Sequence, residues 1–435
     1  MARDLFGTDG VRGLAGEKLT GELAMALGRA ATEQAGGVGA RVLVIRDTRQ
    51  SGEMLEAALA AGITAAGGEA LLGGVLPTPA APLLIAQYGF DLGVVVSASH
   101  NPFQDNGIKF FGGDGLKLTD AAEEEIERRL DDGFGVELEI GRVRELHGTQ
   151  EDYLRALEGR FEGLDLSSVK LLLDCAHGAT YRVGPEIFRR LGASVSVIGN
   201  EPDGRNINDG VGSTHVDALA AAVVAGGHDL GFAFDGDGDR VLAADRNGGV
   251  VDGDELIALA ALHLRASGRL DGDGVVVTVM TNYGFHTAMQ AAKIEVATAD
   301  VGDRYVLAEL RERGWTLGGE QSGHIIDMGF VPSGDGIASA LLTLEALAGA
   351  DLAERSAMEK LPQQLVNVKV ADKARALDAV AGAAAEENDS LSGQGRVLVR
   401  ASGTEELVRV MVEAPDAAQC EQICRRLVDV VEAAS

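Results

Sequence analysis

Three aspartates, Asp235, Asp237 and Asp239, alternate with glycine directly after an apolar run. Because glycine has wide backbone freedom, such a segment can curl until its carboxylate oxygens converge on a hard cation. The all-oxygen donor set favours Mg²⁺ over Zn²⁺. An EF-hand loop is excluded, because its sixth position would be Arg240 instead of glycine and its twelfth Arg246 instead of glutamate. A solvated acidic turn that binds no ion is the remaining alternative.

A second polar segment, Ser97–Pro102, follows another apolar run and ends in an Asn-Pro turn signal. This pattern predicts that Ser99 lies on an exposed loop. A hydroxyl there could act as a nucleophile or carry a phosphoryl group, with His100 or Lys109 handling the proton. The alternative is a strand end that small polar residues merely satisfy. An ion held by three carboxylates would keep coordination positions for a phosphate oxygen, so the two segments together indicate phosphoryl transfer.

Two further loops carry groups suited to a phosphosugar. The segment Arg400–Glu405, with Arg409 just beyond it, offers backbone amides, hydroxyls and guanidinium groups that could surround a phosphate. A plain hairpin turn is the alternative. The segment Gly319–His324 has donors and acceptors at consecutive positions, which suits sugar hydroxyls or an amine, although many glycine-flanked polar turns are only loops.

The strands and helices that must position these loops are predicted to form α/β layers. Apolar strand-like runs alternate with helical stretches rich in alanine and leucine, and each run ends in a polar or glycine-bearing turn, where ligands bind in open α/β sheets. The predicted strands include Val42–Ile45, Leu92–Val96, Leu171–Leu173, Leu230–Phe234 and Val275–Val279. The last part of the chain differs, with predicted strands Arg396–Arg400 and Val408–Glu413 and a helix over Ala417–Glu432.

Length and composition limit the function classes. A chain of 435 residues predicts several domains, and polar or proline-containing breaks place them at 1–150, 151–253, 254–362 and 363–435. With 67 acidic and 38 basic residues, the formal charge of −29 disfavours nucleic acid and anionic membranes as partners. No signal peptide or bilayer-length apolar run is visible, and an odd set of three cysteines fits a reducing compartment, so we expect a cytoplasmic protein. The oligomeric state stays open, with a homodimer among the candidates.

Taken together and in the order in which they occur along the chain, these segments resemble the α-D-phosphohexomutase superfamily from Leu5 to about Glu413. The opening Phe6–Gly13 is similar to the N-terminal motif of that family, whose active-site arginine corresponds to Arg12. Arg46–Arg49 is similarly family-like. Further segments are similar to the branch that acts on glucosamine phosphates: Asn206–Asn208, Gly212–His215 and Val301–Val306.

The resemblance implies three similar α/β domains with mixed sheets and a smaller C-terminal α+β domain around a central cleft. It implies that Ser99 is a phosphoserine, that one Mg²⁺ is held by Ser99 and the three aspartates, and that Lys109 or Arg12, beside His100, helps in proton transfer. The implied substrate-binding residues are Arg240, Glu320, Ser322 and His324. The implied phosphate-binding residues are Arg400, Ser402, Gly403, Thr404 and Arg409. Basic residues in or beside these motifs allow a local positive cleft on an acidic protein: Arg12, Arg49, Lys109, Arg240, Arg304, Arg400 and Arg409.

The implied reaction passes a phosphoryl group from phospho-Ser99 to the 1-hydroxyl of glucosamine 6-phosphate. The resulting 1,6-bisphosphate, which would also serve as activator, reorients and returns its 6-phosphoryl group to Ser99, leaving glucosamine 1-phosphate on the route to UDP-N-acetylglucosamine. The nearest alternative is a glucose or mannose phosphate mutase of the same fold. A non-catalytic phosphosugar-binding protein and a magnesium phosphatase are the alternatives from other classes.

Overall fold

The computed structural model describes residues 5–7, 9–131, 139–402 and 406–434. The chain forms a larger unit, Met1–Val279 with Ala297–Arg355, and a smaller unit, Met280–Val296 with Ser356–Ser435. Among the helices in these ranges, none is long and apolar enough to cross a membrane.

The first sheet of the larger unit has seven strands. They are β1 (Phe6–Gly7), β2 (Gly10–Leu14), β3 (Arg41–Arg46), β4 (Glu69–Val75), β5 (Leu92–Val96), β6 (Asp105–Gly112) and β7 (Arg142–Glu145). Their order is β1-β2-β6-β5-β3-β4-β7, with β5, β3, β4 and β7 parallel and the β1, β2 and β6 pairings antiparallel. The accompanying helices are α1 (Gly21–Gln34), α2 (Gln50–Ala65), α3 (Ala80–Tyr88) and α4 (Asp120–Asp131). All five residues of β5 are buried, as expected for a central strand.

The second sheet is also mixed. Its strands are β8 (Lys170–Asp174), β9 (Ser194–Ile198), β10 (Leu230–Phe234), β11 (Val241–Asp245) and β12 (Val250–Val251), in the order β12-β11-β10-β8-β9. Strand β10 runs parallel to β8 and antiparallel to β11. The helices of this stretch are α5 (Thr149–Arg160), α6 (Val183–Arg190) and α7 (Val216–Gly226). Because β10 is buried along its whole length, the loop that follows it starts from a rigid element.

The third sheet has the order β14-β13-β15-β16. Its strands are β13 (Gly274–Thr278), β14 (Glu295–Ala299), β15 (Leu317–Gly319) and β16 (Ile325–Asp327), and the helices in this stretch are α8 (Gly253–Ala266), α9 (Tyr283–Ala291), α10 (Asp303–Arg313) and α11 (Gly336–Leu347). Helix α8 begins with a capping box between Asp252 and Glu255, which satisfies two backbone donors at that end.

The C-terminal sheet belongs to the smaller unit and is antiparallel throughout. Strands β17 (Gln363–Lys369), β18 (Arg396–Ala401) and β19 (Leu407–Glu413) pair in the order β17-β19-β18, with helices α12 (Lys373–Leu391) and α13 (Ala417–Ala433). Helix α13 buries one face, whose residues follow helical spacing: Cys420, Ile423, Cys424, Leu427 and Val431. Two of the three cysteines therefore pack in a core.

The predicted fold class is confirmed: mixed α/β regions precede a smaller C-terminal α+β region. The three predicted boundaries between the four domains stay a prediction.

Candidate active site

The serine loop and the aspartate loop meet although they are far apart in sequence. Ser99 follows β5 and Asp235 follows β10, and Ser99 Oγ donates a hydrogen bond to Asp235 Oδ2 over 2.6 Å. The prediction that Ser99 is exposed is wrong, because the residue is only 1% exposed. The reason is tertiary: the aspartate loop packs against the serine loop, a contact that the local sequence does not display.

The three aspartates form a buried cluster. Ligand atoms of Asp235, Asp237 and Asp239 all lie within 4.8 Å of one another. Asp237 Oδ2 accepts from Thr78 Oγ1 at 2.6 Å and from Lys109 Nζ at 2.9 Å. The Oδ1 atoms of Asp237 and Asp239 are buried and have no hydrogen-bond donor among the residues that the structure describes. Two such oxygens in one cluster fit a cation site, because a buried carboxylate oxygen needs a donor or a metal.

Electrostatics supports the same interpretation. Burial, together with repulsion from Asp239 and Asp237, raises the pKa of Asp235 well above its usual range. A bound cation would offset that repulsion and favour the ionised form. The donor set contains only oxygen, so the cluster fits a hard divalent cation.

The two glycines of the aspartate loop have different reasons to be glycine. Gly238 has φ +71°, which side-chain-bearing residues rarely adopt. A Cβ on Gly236 would lie 2.5 Å from the backbone oxygen of Ser99. Gly236 therefore allows the aspartate loop to approach the serine loop closely.

Lys109 lies between acidic groups. Its Nζ is 2.9 Å from Asp9 Oδ2, 2.9 Å from Asp237 Oδ2 and 3.7 Å from Asp239 Oδ2. Burial lowers the pKa of Lys109, but the three carboxylates outweigh burial and the pKa ends well above its usual range. Arg12 forms an ion pair with Asp9. Lys109 is therefore a protonated group held at the aspartate cluster.

His100 has the opposite character. Its Nδ1 lies 3.3 Å from Ser99 Oγ. Burial, together with the positive charges of Arg240 and Arg12, lowers the pKa of His100 to about 4. The imidazole is therefore neutral at neutral pH, and it is the side chain that faces the serine hydroxyl beside Asp235.

The loop predicted to bind the sugar is joined to the aspartate loop by its backbone. Arg240 and His324 form an antiparallel bridge, and Val241 N donates to Gly323 O over 3.0 Å. Gly323 has φ +89°, and a Cβ there would lie 2.1 Å from Val241 O, so both conformation and space require glycine. His324 Nε2 lies 3.9 Å from Asp239 Oδ2.

The other predicted sugar-binding residues differ in environment. Glu320 is largely buried and accepts from Gly302 N over 2.9 Å, whereas Ser322 is exposed. Arg240 N donates to Asp235 Oδ1 over 3.2 Å. The structure thus brings Arg240, Glu320 and His324 to loops that adjoin the aspartate cluster.

The loop predicted to bind phosphate lies in the smaller unit. Arg400 in β18 and Arg409 in β19 are directly opposite in the register of the sheet. Ser402 is buried and its amide donates to Leu407 O over 2.9 Å. Gly403 and Thr404 lie outside the described residues.

Sequence reasoning missed several polar residues around the site. Lys117 forms ion pairs with both Asp9 and Asp303, and Asp303 Oδ2 lies 3.7 Å from His324 Nε2. The available signal for Lys117 was rarity, because the chain has only eight lysines. Thr78, which contacts Asp237, carried no signal in the sequence.

Four family models match the chain in order. They describe phosphoglucomutase/phosphomannomutase α/β/α domain I at residues 3–134, domain II at 151–249, domain III at 252–367 and the C-terminal domain at 365–430. The chain belongs to the phosphoglucomutase/phosphomannomutase family. The resemblance to the phosphohexomutases inferred from the motifs is confirmed.

Relatives in this family match over the full length. A phosphoglucosamine mutase of Moorella thermoacetica is 51% identical over 431 residues, covering 96% of this chain and 97% of the relative. One of Mycolicibacterium gilvum is 50% identical over 449 residues, covering 100% of both chains.

Two solved structures share the fold of this chain. A family protein of Burkholderia thailandensis has a TM-score of 0.85 at 25% identity, covering 99% of this chain and 98% of that chain. The N-acetylphosphoglucosamine mutase of Aspergillus fumigatus, solved with GlcNAc-6P and magnesium, has a TM-score of 0.66 at 18% identity, covering 100% of this chain and 97% of that chain.

Proposed function

We propose that this protein interconverts glucosamine 6-phosphate and glucosamine 1-phosphate through a phosphoserine at Ser99 and a 1,6-bisphosphate intermediate. The observation that carries the proposal is the contact between Ser99 Oγ and Asp235 Oδ2 at the edge of the aspartate cluster. Relatives that share half of the sequence over the full length are named phosphoglucosamine mutases, which supports this sugar over glucose or mannose.

We assign the aspartate cluster the role of holding one divalent cation, and the oxygen-only donor set supports Mg²⁺. When bound, the ion would neutralise charge on the phosphoryl group during transfer. The chain itself contributes rigidity, because the loops after β5 and β10 begin from buried strands. Fixed positions matter, since most of the catalytic effect in phosphoryl transfer comes from positioning and charge neutralisation.

Protonated Lys109 can supply the proton that the Ser99 oxygen needs when the phosphoryl group leaves, and it regains a proton from the attacking sugar hydroxyl. The net change is one proton from the sugar to Ser99. Arg12, paired with Asp9, adds positive charge to the same network. Neutral His100 can donate a hydrogen bond from Nδ1–H to Ser99 Oγ, because the hydroxyl proton of Ser99 goes to Asp235 Oδ2.

We propose that the sugar is recognised by Arg240, Glu320, Ser322 and His324, on loops joined to the aspartate loop. We propose that Arg400, Ser402 and Arg409, together with Gly403 and Thr404, bind a phosphate group of the substrate. The register supports this role, because it places Arg400 and Arg409 opposite each other on one face of the sheet, where both guanidinium groups can contact one phosphate.

The test compares kcat/KM for the 6-phosphates of glucosamine, glucose and mannose, with Mg²⁺ and catalytic bisphosphate present. We expect the highest value for glucosamine 6-phosphate and one phosphate on Ser99 by peptide mass spectrometry. Highest kcat/KM on glucose or mannose phosphate would reassign the substrate. Binding without turnover would indicate a binding protein, and loss of the serine phosphate to water without sugar would indicate a phosphatase.

We further propose a cytoplasmic setting in which the product is used for UDP-N-acetylglucosamine and cell wall precursors. A homodimer is proposed as the assembly, and size-exclusion chromatography with light scattering tests it.

A further inference from the structure

The backbone of Ser99 is in the left-handed region, with φ +53°. Residues with a Cβ rarely adopt this conformation, and it persists where surrounding groups enforce it. Both polar groups of the Ser99 backbone are held. The amide donates to Ser97 Oγ over 2.9 Å, and the carbonyl accepts from Arg49 Nη2 at 2.8 Å and from Asn208 Nδ2 at 2.9 Å.

Arg49 is fully buried, and three of its five guanidinium donors bond to carbonyls of the serine loop, Ser97–Pro102. Beside its bond to Ser99 O, Nη2 donates to Asn101 O over 2.8 Å, and Nη1 donates to Asp105 O over 2.9 Å and to Pro102 O. Nε donates to Asp47 Oδ2 over 2.9 Å. A guanidinium has five N–H donors, and these five bonds use them all. Arg49 therefore has no donor left for a substrate phosphate, in contrast to its expected place in a positive cleft.

Asp47 connects the two ends of the Ser99 backbone. Its Oδ2 accepts from Arg49 Nε and also from Ser97 Oγ, at 2.6 Å. Ser97 Oγ in turn accepts from the Ser99 amide. One buried carboxylate thus orients the groups that hold both the amide and the carbonyl of Ser99.

Asn208 holds the same carbonyls from the second α/β region. Its Nδ2 donates to Ser99 O and, over 3.0 Å, to Asn101 O. Asn208 itself has φ +59°, and its backbone amide donates to Ala176 O over 2.9 Å. Asp174 fixes this support, because it accepts from Ala176 N at 2.9 Å and from the amide of Gly212 at 2.7 Å.

We propose that Arg49 and Asn208 are positioning residues that fix the Ser99 backbone and thereby keep its hydroxyl at the aspartate cluster. The carbonyl that they hold is the one against which Gly236 packs. The position of Ser99 O therefore sets how the serine loop meets the loop of Asp235. This inference rests on the proposed function.

The test uses the full chain with Asn208→Gly, which removes both amide donors but suits φ +59°. Asn208→Asp is the second variant; it keeps the size but places a carboxylate against two carbonyls. Ser97→Ala is the third and cuts the link from Asp47 to the Ser99 amide. The control is Asn206→Ala in the same loop, because Asn206 Nδ2 donates to Glu201 O and not to the serine loop.

The readouts are kcat and KM for glucosamine 6-phosphate, and the rate at which glucose 1,6-bisphosphate phosphorylates Ser99, followed by mass spectrometry. Circular dichroism identifies the folded variants. We expect kcat and the phosphorylation rate to fall about tenfold to a hundredfold in the variants, since small misplacements of reacting groups have effects of this size. KM should change less than about twofold, and Asn206→Ala should match the wild type.

Any folded test variant with wild-type kcat and phosphorylation rate would overturn the inference, and so would a loss confined to KM. If one variant does not fold, the others decide on the same readouts. A wild-type protein that is not phosphorylated on Ser99 would instead refute the proposed function, so the two failures are distinguishable.

Discussion

Lys109 Nζ lies 2.9 Å from Asp237 Oδ2, and each side chain is only 1% exposed. The pair is therefore shielded from water and adjoins the two carboxylate oxygens of the cluster that lack a donor among the described residues. Removing one member of such a pair leaves an uncompensated buried charge. The consequence depends on whether a cation can take the place of the lysine charge.

Lys109→Met should reduce turnover at least about a hundredfold, the usual scale for a proton-transfer group. In EDTA its free energy of unfolding should fall by about 3 kcal/mol, because Asp237 stays buried without its partner. Added Mg²⁺ should raise the melting temperature of the variant more than that of the wild type. Differential scanning fluorimetry across a Mg²⁺ titration measures this, with exposed Lys170→Met as control. An equal response to Mg²⁺ in variant and wild type would contradict the cation assignment.

Substitutions at Ser99 separate its chemistry from its backbone. Both Ser99→Ala and Ser99→Gly should abolish mutase activity, because neither can carry a phosphoryl group. Glycine accepts φ +53° without strain, so Ser99→Gly should be more stable than Ser99→Ala by about 1 kcal/mol. Urea denaturation of the two variants measures the difference. Equal stability would argue against an enforced left-handed conformation at this residue.

Gly236→Ala tests the close approach of the two loops. The new Cβ would meet Ser99 O at 2.5 Å, so one loop must shift, and we expect a loss of about 1–3 kcal/mol in stability. Activity should fall with it, because the shift separates Ser99 from Asp235. The matched control is Gly159→Ala in α5, where the new Cβ meets nothing within 4 Å. Because alanine favours the helix more than glycine does, this variant should gain about 0.5–1 kcal/mol in its free energy of unfolding. An active Gly236→Ala variant of wild-type stability would show that the approach is not needed.

Asp335 makes the stability of the larger unit depend on pH. It accepts from Tyr153 Oη at 2.9 Å and from Ala338 N at 2.9 Å at the start of α11. Burial raises the pKa of Asp335 to about 7, and these hydrogen bonds only partly oppose the shift. Because the folded pKa is above the unfolded value, the contribution of Asp335 is fully present below about pH 4 and is lost as pH rises through about 7.

Asp335→Asn keeps the acceptor for Ala338 but cannot ionise. The stability of this variant relative to the wild type should therefore increase between pH 5 and pH 7.5 and level off above that range. Urea titrations at a series of pH values measure the difference in free energy of unfolding between variant and wild type. The control is Asp378→Asn, because the side chain of Asp378 is exposed. A difference that does not change with pH would rule out a buried titrating carboxyl at this position.

The strands that could be predicted from sequence are those with a continuous apolar run. Both Leu92–Val96 and Leu230–Phe234 form strands with the predicted bounds, because strands in the middle of a covered sheet are buried on both faces. Helix α13 ends one residue beyond its prediction. Strand β7 gives no such signal, since all four of its residues are exposed at the edge of the sheet.

The site was predictable as a set of loops but not as a network. Residue types in the motifs indicated an acidic cluster and a hydroxyl, and the structure brings them together. Lys117 forms ion pairs with Asp9, which lies 108 positions away in the sequence, and with Asp303, which lies 186 positions away. Only tertiary packing brings these residues together. The burial of Ser99 has the same origin, and so does the use of four Arg49 donors on backbone carbonyls and of the fifth on Asp47.

Two arginines of the smaller unit are predicted to bind an anion. Arg400 and Arg409 occupy opposite positions in β18 and β19, so both lie on one face of the sheet and can contact the same anion. Inorganic phosphate should raise the melting temperature of the wild type at constant ionic strength. Arg409→Met should lose most of this response. The control is Arg425→Met, an exposed arginine on α13 that pairs with Glu421 and should keep the full response. An unchanged response to phosphate in Arg409→Met would remove this arginine from the phosphate site.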